Sequence, residues 1–168
     1  MPMVPFFEFF PDVAPSETRV ITMLHDEGPV PRGEYGFIES YCNDPGCDCQ
    51  NVIINIMDLR ARHLATINHS LDRRWHERAG VPRTFLDPLN VQGPHAEAFL
   101  DIFKEVVRDA SYAKRLERHR AMVREVVDAG KARVAAREML KSVRVERNAP
   151  CACGSGRKYK KCCGLVSS

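Results

Sequence analysis

The chain has 168 residues with 44% hydrophobic side chains, enough for one ordinary core plus a tail or for two small units. No run approaches the roughly 18 apolar residues of a spanning helix, and the start Met1-Pro2-Met3-Val4-Pro5-Phe6-Phe7 lacks a basic leader and is broken by proline, so a soluble cytoplasmic chain is expected. The net charge of +3 hides a division: residues 1–103 hold 8 Lys and Arg against 15 Asp and Glu, while residues 104–168 hold 17 against 7.

The first fifteen residues are rich in Pro and Phe and read as an irregular arm, with Phe6, Phe7, Phe9 and Phe10 packing on the body or meeting a partner. Four β-rich runs follow, at 19–25, 34–41, 51–57 and 61–69, separated by turn signals such as Gly28-Pro29 and Asp44-Pro45-Gly46. Their spacing predicts an antiparallel meander. Residues 71–94 mix Gly, Pro, Arg and His and read as loops, with Trp75 as a core anchor.

From 95 to 110 the apolar residues Ala96, Phe99, Leu100, Phe103, Val106 and Val107 recur at three and four, the period of an amphipathic helix. A longer basic helix is expected from about 111 to 143, capped by Ser111, with Tyr112, Leu116, Val123, Val127, Val134 and Leu140 on one stripe. Gly130 marks a break or a close packing, and the segment after Val143 reads as a linker. The fold class is therefore α+β: an N-terminal antiparallel β meander, C-terminal helices including one long basic helix, and a small zinc-stapled tail. The expected divisions are 1–94, a β-rich body with a cysteine loop; 95–146, a helical region; and 147–168, the metal tail.

All seven cysteines fall in two clusters. Cys151 and Cys153, an eight-residue spacer, then Cys162 and Cys163 can close a tetrahedron around one Zn²⁺. The spacer is too short and polar to bury a core, so metal must supply its folding energy. Without a leader, CxC and CC pairs read as ligands rather than disulfides. The run Arg147-Asn148-Ala149-Pro150-Cys151-x-Cys153-Gly154-Ser155-Gly156-x-Lys158-Tyr159-Lys160-Lys161-Cys162-Cys163-Gly164 resembles the SEC-C metal-binding motif, the small zinc-binding tail of the SecA translocation ATPase. Ala152 stands where that motif commonly has Pro, and Cys163 takes a place filled by Cys or His. There is no GxxxxGK[ST] loop, so nothing resembles the SecA motor.

Cys42, Cys47 and Cys49 form the second cluster, in the loop between two expected strands. Three thiols there invite a second Zn²⁺ with one further ligand. If Tyr41 pairs with Asn51 and Asn51 with His69, then His69 sits at the cysteine end of the sheet and is the candidate fourth ligand; Asp44, Asp48 or water are the others. Free thiols and a reversible disulfide are the competing readings. The segments Tyr41-Cys42-x-x-Pro45-Gly46-Cys47-Asp48-Cys49, Leu86-Asp87-Pro88-Leu89-Asn90-x-Gln92 and Tyr112-x-x-Arg115-Leu116-x-x-His119 are similar to uncharacterised bacterial proteins with SEC-C domains.

A zinc-binding accessory protein is the leading functional reading, without an assigned catalytic residue. By the SecA resemblance, whose tail contacts the acidic chaperone SecB and the ribosome, Arg157, Lys158, Lys160 and Lys161 would supply charge to an acidic or ribosomal partner and Tyr159 a flat contact. The alternatives are nucleic-acid binding through the basic helix and tail, and a zinc enzyme with His69, His76 or Asp87 beside the second cluster. Mutual attraction between the acidic and basic halves is the plainer account of the charge division.

Overall fold

In the computed structural model the described residues are 3–25, 28–142, 148, 150 and 155–162. They fall into two compact units, Met1–Ala129 and Gly130–Ser168. The first unit carries an antiparallel sheet of six strands: β1 (Met3–Pro5), β2 (Arg19–Met23), β3 (Gly33–Cys42), β4 (Asn51–Asp58), β5 (His63–Ser70) and β6 (Thr84–Leu86). The strands β2 to β5 are the expected meander. β1 and β6 extend it: β1 lies opposite Ser40–Cys42 and β2 opposite Gly33–Phe37, so the two share one edge of β3 end to end. Between them the chain leaves the sheet as two single-turn helices, α1 (Phe6–Phe9) and α2 (Ala14–Glu17).

Alternation along the strands sets the core. Phe37, Ile56 and Ala65 form one cross-strand row, Glu39, Ile54 and Ile67 the next, and Tyr41, Val52 and His69 the third. All nine are buried, and each large apolar member contributes about 1.5–3 kcal/mol by leaving water. Helix α4 (Ala96–Val106) adds Phe99, Leu100 and Phe103 to the same core. Helix α5 (Ala110–Ser142) adds Tyr112, Leu116 and Val123.

Several local expectations need correction. Residues 71–94 contain helix α3 (Arg73–Ala79) and β6 as well as loops. Phe6, Phe9 and Phe10 pack on the core, whereas Phe7 is exposed. Asp109, not Ser111, caps α5: its Oδ1 accepts the Ser111 amide at 2.9 Å and the Ser111 hydroxyl at 2.8 Å. Among the described side chains the apolar stripe of α5 is buried as far as Val127, and Val134 is 58% exposed. Gly130 is neither break nor close packing, because the helix continues through it and a Cβ there would meet nothing within 4 Å. The side chains of Trp75 and Leu140 and the expected linker at 143–147 lie outside the described residues.

One irregularity places the site-bearing end of the sheet. β5 pairs Met57 with His63 but Ile56 with Ala65, so Leu64 is an extra, bulged residue. Its carbonyl accepts the Gly93 amide at 2.9 Å. Only glycine permits this approach, since a Cβ at Gly93 would lie 2.5 Å from that oxygen. Gln92 continues the clamp by exchanging hydrogen bonds with the Thr66 backbone, its Oε1 accepting the amide and its Nε2 donating to the carbonyl.

Candidate metal centres

The loop between β3 and β4 is built on an Asx turn, in which the Gly46 amide donates to Asp44 Oδ1 at 2.8 Å and the Cys47 amide to the Asp44 carbonyl at 3.2 Å. The turn folds Cys47 and Cys49 back onto Cys42. The three Sγ atoms all lie within 4.8 Å of one another. A tetrahedral zinc site with bonds of about 2.3 Å sets its sulfurs about 3.8 Å apart, so a small contraction would close these three on one ion. Two backbone amides point at the sulfurs: Asp44 donates to Cys42 Sγ at 3.5 Å and Cys49 to Cys47 Sγ at 3.4 Å.

Helix α5 holds this loop by its carbonyls. Arg120 donates to the Cys49 carbonyl at 2.8 Å, and Arg124 to that of Asp44 at 3.0 Å. Two guanidinium groups therefore flank a cluster that becomes anionic when its thiols ionise. The Cys49 amide draws the Cys47 thiol below its ordinary value, while burial, followed by its hydrogen bond to Cys47, pushes Cys49 up to about 11. A metal binding here would displace protons.

His69 lies elsewhere. It pairs with Val52 rather than Asn51, because the Leu64 bulge shifts the β4–β5 register by one residue, and it shares the core face with Tyr41. Its Nδ1 lies 2.7 Å from Thr84 Oγ1, its ring meets Phe103 edge-on at 5.5 Å, and burial holds it down to about pH 4. The group of ligand atoms formed among the described residues comprises the three cysteines and does not include His69. Asp87 is occupied with its own turn, accepting the Leu89 amide and the Asn90 side chain. His76 lines a cavity that Cys49 also lines.

In the tail, Cys162 is described, whereas Cys151, Cys153 and Cys163 lie outside the described residues. Pro150 and Lys158 form an antiparallel bridge, and Tyr159–Lys161 make one 3₁₀ turn. That turn ends with the Cys162 amide donating to the Tyr159 carbonyl at 3.1 Å. The Ser155 hydroxyl lies 3.2 Å from Cys162 Sγ, where it can donate to a thiolate. Arg157, Lys158 and Lys161 are exposed, and Tyr159 and Lys160 half-exposed.

Residues 147–165 match the SEC-C motif. The tail carries a metal-binding module of this kind. Related segments occur in the protein translocase subunit SecA of Caldicellulosiruptor saccharolyticus, 60% identical over 30 residues, and in the uncharacterized protein YccF of Bacillus subtilis, 81% identical over 21. A UPF0225 protein of Geobacter sulfurreducens is 70% identical over 23 residues. These matches cover 18%, 12% and 14% of this chain, which spans only 4%, 6% and 14% of the respective relatives. No solved structure matches the chain. Among the described residues no helix is long and apolar enough to cross a membrane.

Proposed function

We propose that the protein is a zinc-binding accessory protein that docks through its SEC-C tail on an acidic protein or ribosomal surface. Cys151, Cys153, Cys162 and Cys163 would hold the zinc of the tail. The observation that carries this reading is the placement of Arg157, Lys158, Lys160 and Lys161 on and beside a single turn that ends at Cys162. Fixing four cations on a metal-stapled turn orients them, and orientation raises association rate and selectivity more than any one exposed charge adds to affinity. Similarity to the SecA segment supports the same reading. In functional terms the chain divides into the β-rich portion 1–94, the helical portion 95–146 and the module 147–168.

Removing the residues after 145 tests it. Zinc content should fall by one equivalent, and cosedimentation with purified ribosomes or capture on an immobilised acidic protein should disappear. Reversing Arg157, Lys158, Lys160 and Lys161 to Glu should abolish binding while leaving zinc in place. Undiminished binding after truncation would sink the docking role. The excess of 17 basic over 7 acidic residues after residue 103 favours nucleic acid as the second reading. It predicts capture of naked RNA or DNA with a steep salt dependence, which protein docking does not require.

A further inference from the structure

We propose that Cys42, Cys47 and Cys49 bind one soft divalent metal ion whose fourth position is filled, from an adjoining cavity, by the sulfur of a small amine-bearing thiol. All three ligands lie in the first unit, Met1–Ala129. Its three sulfurs converge within 4.8 Å, two backbone amides already point at them, and α5 anchors the surrounding carbonyls through Arg120 and Arg124. The two backbone N–H donors complement thiolate sulfur, the form a metal requires, and metal binding displaces the remaining thiol protons.

Cys42 is buried, whereas Cys47 and Cys49 are only half-buried. Cys49 belongs to the cluster and also lines a cavity of about 860 Å³, a volume suited to a small organic ligand. Of the three cysteines Cys49 alone lines this cavity, and ligand entry is assigned to its side. Three thiolates on a dication leave a net charge of about −1, and the wall adds Asp48 and Asp72 beside His76. Arg120 and Arg124 line a separate small cavity with Cys42 and are not part of this wall, so the acidic wall favours a cationic ligand over an anionic one. Thiolate-rich sites select soft ions, and soft ions prefer sulfur as the remaining ligand. Phe85 supplies an apolar surface for a short alkyl chain. On binding, the ligand S–H bond breaks, its sulfur lone pair forms the metal–sulfur bond and the proton passes to solvent; no oxidation state changes.

Cobalt(II) titration tests the proposal in the full-length chain carrying Ser at Cys151, Cys153, Cys162 and Cys163, so that the tail cannot compete. One equivalent should bind and give the intense visible absorption of tetrahedral thiolate-bound cobalt. Cysteamine should shift that spectrum at a concentration about tenfold lower than mercaptoacetate. Cys42→Ser in the same background should abolish binding, and far-UV circular dichroism reports whether that variant still folds. A second measurement avoids substitution altogether: in the unmodified chain, zinc should protect Cys42, Cys47 and Cys49 together from alkylation by iodoacetamide. Failure of cobalt to bind, joined by alkylation indifferent to zinc, overturns the metal site. A bound-cobalt spectrum that neither thiol changes overturns the open position, and a preference for mercaptoacetate overturns the assigned ligand charge.

Discussion

His119 reaches two carboxylates from one ring, with Nδ1 2.6 Å from Glu39 Oε2 and Nε2 2.7 Å from Glu17 Oε2, while Phe6 stacks on it at 3.9 Å. Glu39 heads a core row that continues through Ile54 and Ile67, and the Tyr41 hydroxyl also donates to it at 2.8 Å. A buried carboxylate is tolerated only while its partners remain, so His119→Ala should cost about 3 kcal/mol in urea unfolding. The double variant with Glu39→Gln should recover part of that loss; no recovery would mean that the ring acts through packing alone. His69 poses the opposite problem, an imidazole kept neutral. Burial, then Arg83 and His76, hold it down to about 4 from an ordinary value of 6.5. Between those limits the unfolded chain binds a proton that the folded chain refuses. Stability should thus fall as pH drops through this window, by up to about 3 kcal/mol. His69→Gln should flatten the difference between urea midpoints at pH 7 and pH 4.5, and an unchanged difference would assign the acid sensitivity to other groups.

The elements differ in how far the sequence alone could reach them. β4 and α4 were legible because Val52, Ile54 and Ile56 keep a period of two, and Phe99, Leu100 and Phe103 keep the helical period. β1 was not, since three residues beginning Met-Val-Pro become a strand only when the edge of β3 receives them. The β4–β5 register illustrates the same limit at the candidate site. Pairing from the turn gives Met57 opposite His63 correctly, but the Leu64 bulge is fixed by Gly93, well outside the hairpin, and it carries His69 onto the core face. Convergence of the three cysteines could be read from their chemistry, whereas Arg120 and Arg124 lie more than seventy residues away and no spacing rule connects them to the loop. The start of α5 offers a direct test of local chemistry. Asp109→Ala removes an acceptor from two donors at Ser111 and should cost about 1 kcal/mol by thermal or urea unfolding, while Ser111→Ala should cost less.

At the scale of the molecule, the proposed zinc tail implies that the two units draw stability from different sources. Met1–Ala129 has a continuous apolar core spanning the sheet, α4 and the first part of α5. The SEC-C segment has no comparable apolar content: between Cys153 and Cys162 it offers Gly, Ser, Arg, Lys and one Tyr. On the proposed reading, metal binding at the tail offsets its chain entropy, and the associated free energy is expected to belong to the tail alone. Cys162→Ser should therefore act locally. Zinc content should fall by one equivalent, and the tail amides from Ser155 to Lys161 should collapse toward random-coil positions in a ¹H–¹⁵N spectrum. Amides of Ile54, Ile67 and Phe103 should stay where they are, and the urea midpoint of the body should move by less than about 0.5 kcal/mol, the scale of substitutions that touch no core contact. Shifts spreading through the β4 and α4 amides would show instead that the module stabilises the body, and the two units would then have to be treated as one cooperative fold.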